Sequence, residues 1–233
     1  MSDIRNYVKQ PHPLKKMFDG GVLCSPAIMF EAGGCEGEDT IRYMKMFPNA
    51  KLFVFEPLKK KVELINQHIE QFSSEIKKNN ALITCAALSD TPGKAIFHVS
   101  KGNPASAPQD WDCGNKSSSL LEPAEHKELF KWCNFDEEEV DCIRLDDFCK
   151  EHGVSRIDFF HLDVQGAELR VLESAGDVDI RAVWLETSDC EVYAGQPRKK
   201  DIEEFFSKRD YVLLYSEKTG AYEDQLWVRN IHV

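Results

Sequence analysis

A doubly wound, Rossmann-like α/β fold is what this sequence predicts, with a mainly parallel seven-stranded sheet finished by a C-terminal antiparallel hairpin. Three observations predict it. Apolar, β-rich runs alternate with stretches of helical spacing along most of the chain. Two of those runs stop on a carboxylate, at Glu31 and Glu56. The alternation then gives way near the C-terminus to two β-rich runs around Gly220.

Taken in order, Ile28, Met29 and Phe30 form a first strand, followed by a helix over residues 40–47. "KLFVFEP" is a second strand, stopped by Pro57. Apolar spacing at Val62, Ile65, Ile69, Phe72 and Ile76 predicts a helix over 59–77. "ALITCAAL" is a third strand, and Thr91-Pro92-Gly93 turns the chain into an added strand, "KAIFHVS". Residues 101–119 are rich in Gly, Pro, Ser and Asn and too long for a plain connection. "VDCIRLDDFCKEHG" reads as a strand and a helix ending at Gly153, whose first-turn acids Asp146 and Asp147 suit the helix dipole. "IDFFHLD" is a fourth main strand with a helix over 167–175, and "AVWLE" is a fifth. A helix over 200–208 leads into the hairpin "YVLLYS" and "QLWVRN". Residues 1–24 precede this pattern and are expected to form a separate segment, a lid, on a domain spanning 25–233.

Bulk properties narrow the function. The chain has 233 residues, 42% hydrophobic and 30% charged, enough for one sizeable core. A net charge of -11 repels phosphate backbones and anionic membrane surfaces, which excludes nucleic acid as a default partner. The basic runs Lys59-Lys60-Lys61 and Arg198-Lys199-Lys200 read as solvated helix ends. Eight cysteines lack C-x-x-C pairing, the N-terminal residues lack the apolar core of a signal peptide, and no apolar run reaches membrane-spanning length. A cytoplasmic protein with free thiols and no membrane span is expected; the oligomeric state is not readable.

The chemistry begins at "IMFEAGGCEGEDT". Gly33 and Gly37 permit positive φ and close backbone approach to a ligand, just before a helix N-terminus. Glu56, at the end of the second strand, is placed to accept both hydroxyls of a ribose. A dinucleotide fingerprint would space its glycines for a pyrophosphate, yet this loop carries Glu31, Glu36 and Glu38. Those acids suit a sulfonium cation with an amino group, as in S-adenosylmethionine. Two rivals stay open: a NAD-dependent oxidoreductase of Rossmann type, and an inactive cofactor-binding module.

The segments "FEAGGCEGEDT", "VFEP", "CAALSD", "SSSLL", "IRLDDF" and "FFHLDVQGAELRVLESA" occur in the order found in FkbM-type methyltransferases. The chain resembles that family from about Ile28 to Glu186, most specifically over Leu162 to Ala175. The resemblance implies S-adenosylmethionine-dependent O-methylation of a hydroxyl on a sugar, glycan or natural-product acceptor. By position it makes Glu31, Gly33 and Gly37 the methionine-side loop, Glu56 the ribose acid, Ala86 a neighbour of the adenine, and Asp163 the aspartate after the fourth strand; Thr40 and Asp163 are counted with the cofactor-binding candidates. The sequence departs from the family pattern at Glu31 (more usually Asp), Gly34-Cys35 (Ala-Asn), His161 (often Lys) and Gln165 (often Glu).

An alcohol acceptor must lose its proton as the new bond forms. Asp163, His161 and Glu186 are the catalytic candidates, since the fourth and fifth strands should be neighbours about 4.8 Å apart. Either Asp163 or His161 acts as a metal-free base, the favoured case, or Asp163, Glu186 and Asp189 hold a magnesium-like ion. Gln165 and Glu168 are candidates to line the acceptor site. Residues 101–119, with Trp111 and Ser117-Ser118-Ser119, are expected to shape the acceptor pocket, and residues 7–13, including His12, to form part of the lid.

Overall fold

In a computed structural model, which describes residues 4–106 and 113–230, the chain begins with two short helices, α1 (Ile4–Lys9) and α2 (Lys15–Asp19). The first half of the alternation follows as β1 (Ile28–Ala32), α3 (Glu38–Met46), β2 (Lys51–Phe55), α4 (Lys59–Gln71) and β3 (Ala81–Thr84). Then come β4 (Ala87–Leu88), β5 (Gly93–Lys101), α5 (His126–Leu129) and β6 (Asn134–Ile143). The second half runs α6 (Leu145–His152), β7 (Arg156–Ile157), β8 (Phe159–Leu162), α7 (Glu168–Glu173), β9 (Asp179–Ile180) and β10 (Ala182–Ser188). The chain closes with α8 (Lys199–Ser207), β11 (Tyr211–Thr219) and β12 (Tyr222–Arg229).

The large sheet has seven strands in the order β11-β12-β10-β8-β1-β2-β3. Strands β1, β2, β3, β8 and β10 are parallel, and β12 inserts antiparallel between β10 and β11. From β1 the chain winds outward through β2 and β3, then returns to β8 on the other flank of β1 and winds the opposite way. The β1/β8 junction is therefore the topological switch point, where crossovers leave the sheet in opposite directions and open a crevice at the carboxyl edge.

Both faces of the sheet are covered, so its central strands are apolar at nearly every position. Met29, Leu52, Val54, Phe159 and Trp184 pack on one face with Ile41, Tyr43 and Met44 of α3 and Ile65 and Ile69 of α4. Phe30, Phe53, Phe55, Phe160 and Val183 pack on the other with Leu145 and Phe148 of α6, Val171 of α7, and Ile202 and Phe206 of α8. The period-2 alternation sends Glu31 and His161, register partners across β1 and β8, toward the α3 face.

Three expectations change in detail. The third strand breaks after Thr84, and Ala87–Leu88 turns away to pair with β6. The added strand β5 pairs antiparallel with β6 from Gly93↔Cys142 to Lys101↔Asn134, so it builds a separate three-stranded sheet. Helix α4 ends at Gln71, ahead of Ser73-Ser74, although Phe72 and Ile76 are still buried. The N-terminal segment packs onto the domain: Ile4, Val8, Leu14 and Leu23 join the same core as Met29.

Phe160 sits fully buried at the sheet centre, its ring 6.0 Å from that of Phe30. Phe160→Ala should therefore cost about 3–5 kcal/mol of stability, read as a lower urea midpoint with an unchanged m-value.

Candidate active site

At the switch point the backbones of β1 and β8 run so close that a side chain does not fit between them. A Cβ on Gly33, where φ is 90°, would lie 1.9 Å from the Asp163 carbonyl oxygen. The N–H groups of Gly33 and Gly34 both donate to the Phe55 carbonyl (2.9 and 3.1 Å), which folds the loop over the end of β2. Cys35, with φ of 48°, then donates its N–H to Glu56 Oε2 (2.9 Å), while Leu58 N–H donates to Oε1 (2.9 Å). Glu56 is thus oriented by two backbone donors, one on each oxygen, with lone pairs left on both.

These elements enclose a cavity of about 180 Å³. Glu31, Gly33, Gly34, Cys35 and Glu56 form one wall, and Pro57, Ala87, Leu88 and Phe97 make an apolar end. The other end is polar: Tyr7, Glu38, Asp39, Lys116, His161, Asp163 and Gln165 face it. A turn at Cys113–Lys116 closes over the loop, with Lys116 Nζ on Glu38 Oε1 and Asn115 Nδ2 on Glu36 Oε1, each at 2.5 Å. From α4, Lys61 donates to the Asn115 carbonyl and to Cys35 Sγ.

Burial dominates the electrostatics. Glu31 is almost wholly buried, and burial and the charge of Asp39 push its carboxyl well above the usual range against the Thr40 hydroxyl donated to Oε2 (2.7 Å). Burial pushes the Cys35 thiol up to about 12, against the nearby Lys61 ammonium. On the β8 side, Gln165 Nε2 donates to Asp163 Oδ1 (2.6 Å). Gln165 itself has φ of 52°, and its carbonyl accepts the Ser119 hydroxyl (2.6 Å). Buried Glu168 closes the same turn by accepting the N–H groups of Gly166 (3.1 Å) and Val164 (3.3 Å) on Oε1.

Among the residues expected from the sequence, the fold brings Glu31, Gly33, Glu56, His161 and Asp163 to one cavity. Gly37 and Thr40 stand behind it: Gly37 caps α3 against Ile65, and Thr40 holds Glu31. Ala86 is also set back, because the chain leaves the sheet after Thr84 and offers Ala87 and Leu88 instead. Glu186 does not reach this cavity. It lines a smaller one with Glu168, Tyr193 and Tyr222, beyond the Gln165 side chain that lines both. Asp189 is largely exposed, 4.0 Å from Lys218. Among the described residues no group of three His, Cys, Asp or Glu side chains is gathered as metal ligands. Trp111 lies outside the described residues.

Sequence reading missed Lys61, Asp39, Asn115 and Lys116. Lys61 belongs to a basic run whose sequence suggests a solvated helix end, yet only its neighbours Lys59 and Lys60 are exposed. The polar composition of residues 101–119 was the available signal for Asn115 and Lys116.

Comparison with known proteins places this geometry in a family. The profile described as "Methyltransferase FkbM domain" matches residues 31–213. The 2-O-methyltransferase NoeI of Sinorhizobium fredii is 31% identical over 172 residues, 72% of this chain; the chain spans 66% of that relative, slightly under two thirds of its length. A crystal structure of a methyltransferase FkbM from Methylobacillus flagellatus superposes with a TM-score of 0.55 at 12% identity, over 97% of this chain and 50% of that one. The magnesium protoporphyrin IX methyltransferase of Synechocystis, solved with bound SAM, gives 0.52 at 10% identity over 97% of this chain and 78% of its own. At such identities the two structures establish the α/β fold with its C-terminal hairpin.

The acids behind Gln165 carry a pH signature. Burial raises Glu168 to about 7, and burial with the charges of Asp163, Asp224 and Glu168 raises Glu186 to about 9. An acid raised on folding favours the native state while protonated in both states, and that advantage is lost as pH rises through its native value. Glu168→Gln, which cannot ionise, should therefore gain on the wild type between about pH 5 and pH 8, by on the order of 3 kcal/mol. Urea midpoints at the two pH values measure it.

Proposed function

Because this chain belongs to the FkbM methyltransferase family, we propose that it is an S-adenosylmethionine-dependent O-methyltransferase whose acceptor is a hydroxyl on a small molecule or glycan. The observation that carries this reading is the glycine loop pressed against Asp163 with Glu56 held at its far end. The residues fit an adenosyl sulfonium. Glu56 retains acceptor capacity for two ribose hydroxyls, Pro57, Ala87, Leu88 and Phe97 offer an apolar end for a purine, and Glu31 and Asp163 supply acid beside the loop. The same acids oppose a pyrophosphate, which weighs against the oxidoreductase alternative.

When bound, S-adenosylmethionine supplies a sulfonium methyl group that an acceptor oxygen displaces in line. The chain's own contribution is chiefly to hold the acceptor in that line, worth on the order of 7–11 kcal/mol. Asp163 takes the acceptor proton. Gln165 fixes its Oδ1 and leaves Oδ2 free of hydrogen bonds from the described residues. His161 sits deeper, its Nδ1 buried without a partner and its ring 5.7 Å from that of Tyr43. A metal-free reaction is the reading favoured here: Glu186 lines a separate cavity and Asp189 lies at the surface near Lys218, so neither joins Asp163 at the main cavity. The name of the relative NoeI, a 2-O-methyltransferase, supports oxygen as the acceptor atom. No described helix is long and apolar enough to cross a membrane, and the described cysteines are free thiols, which suits the cytoplasm.

Calorimetric titration should detect S-adenosylhomocysteine binding and no NAD binding, and Glu56→Ala should raise the S-adenosylhomocysteine Kd about 10- to 100-fold, the worth of charged hydrogen bonds. In a radiolabelled transfer assay against hydroxylated glycans, Asp163→Asn should lower kcat by about 100- to 10,000-fold, and EDTA should leave the wild-type rate unchanged. A wild type that ignores S-adenosylhomocysteine removes the reading.

A further inference from the structure

The polar end of the cavity has a wall from outside the alternating domain. Tyr7 of α1 lines it, with its hydroxyl donating to Asp39 Oδ2 at 3.4 Å. The Arg42 guanidinium lies 4.9 Å from the centre of its ring and the Lys116 ammonium 5.3 Å, so α1, α3 and the Cys113–Lys116 turn meet on this one side chain. Five residues further on, His12 is buried between two prolines. The Leu14 N–H donates to His12 Nδ1 (3.2 Å), so the neutral ring carries its hydrogen on Nε2 and donates it to the Tyr43 hydroxyl (2.8 Å). The ring also stands edge-on to His161 and Trp184, at 6.4 and 6.1 Å between centres. By contrast, the intervening Lys9, Gln10 and Pro11 are exposed. Beyond His12, α2 is fixed to the domain by Phe18, packed on Phe47 and Phe159.

We propose that α1, which carries Tyr7, is a movable wall of the cofactor cavity, that the buried His12–Tyr43 hydrogen bond pins it shut, and that cofactor and acceptor exchange through it. The proposal rests on the methyltransferase reading for the identity of what exchanges. A six-residue helix has little stability of its own. It is ordered by Ile4 and Val8 against α3, by Tyr7, and by the His12 pin. Release of that pin frees the exposed link and, with it, the side chain that closes the polar end. Burial lowers His12 to about 3, and the charged or titratable groups facing it are Asp39, Arg42 and Tyr43 of α3 and His161 of β8. Only the open form, where the ring is in water, takes up a proton near its ordinary value.

Stopped-flow binding of S-adenosylhomocysteine and hydrogen exchange of residues 4–9 test this together. His12→Ala should raise both association and dissociation rates at least about tenfold while holding Kd within about threefold, the signature of a gate. It should also speed exchange in residues 4–9 of the ligand-free protein without changing β1. Wild-type rates should rise from about pH 7.5 to about pH 5.5, and His12→Gln, which cannot titrate, should remove that rise. If wild-type binding is normal but His12→Ala leaves the rates unmoved, or weakens Kd through dissociation alone, the gate is overturned. If the wild type does not bind S-adenosylhomocysteine, the cofactor assignment falls and the gate falls with it.

Discussion

The close approach of Gly33 to the Asp163 carbonyl is the constraint on which the site depends. It exists because β1 and β8 are adjacent parallel strands whose crossovers leave in opposite directions, so both chains turn away at the same level of the sheet. Only a residue without a side chain passes there. Once the loop is drawn in, its next N–H groups are spent on the Phe55 carbonyl and on Glu56, and the acid at the end of β2 is oriented by the backbone that turns past it. Fold and binding wall are therefore one piece of geometry.

The acids around that loop would repel one another in water, and the fold manages them by burial and pairing. Glu31 is kept as an acid of raised pKa against the Thr40 hydroxyl, while Glu36 and Glu38 are tied down by Asn115 and Lys116. Arg42 is committed to Asp39 at 2.7 Å. Lone buried charges are expensive, and each of these has a named partner. Glu56 and Asp163 are the two acids of this group that face the cavity from opposite ends of the loop.

How much of this was readable beforehand follows from the range of the interactions. Period-2 and helical patterns are local, so the strands, the helices and the closing hairpin were legible, as were Glu31, Gly33, Glu56, His161 and Asp163 at strand ends. The splitting of "ALITCAAL" was not, because Ala87 and Leu88 are claimed by β6, more than fifty residues later. The fifth main strand does lie beside the fourth, with Leu185 opposite Leu162. What alternation does not convey is the positive-φ turn at Gln165, which puts an amide between Glu186 and the cavity. Lys61 belongs to the same class: three consecutive lysines look alike in sequence, and only the helix phase decides which one points at Cys35.

The first turns of α3 tie the fixed and covering parts of the site to one another. Its Thr40 holds Glu31 from β1, its Glu38 holds Lys116 from the covering turn, and its Asp39 and Arg42 meet Tyr7 from α1. Gly37, whose backbone lies against Ile65, sets where that helix starts. A shift of the glycine loop is therefore felt first at the N-terminus of α3, and from there by both covering elements through side chains within hydrogen-bonding or cation–π range. The glycine loop and the parts that cover the polar end of the cavity share a single support, which, on the proposed reading, is a physical reason for donor and acceptor handling to be coupled.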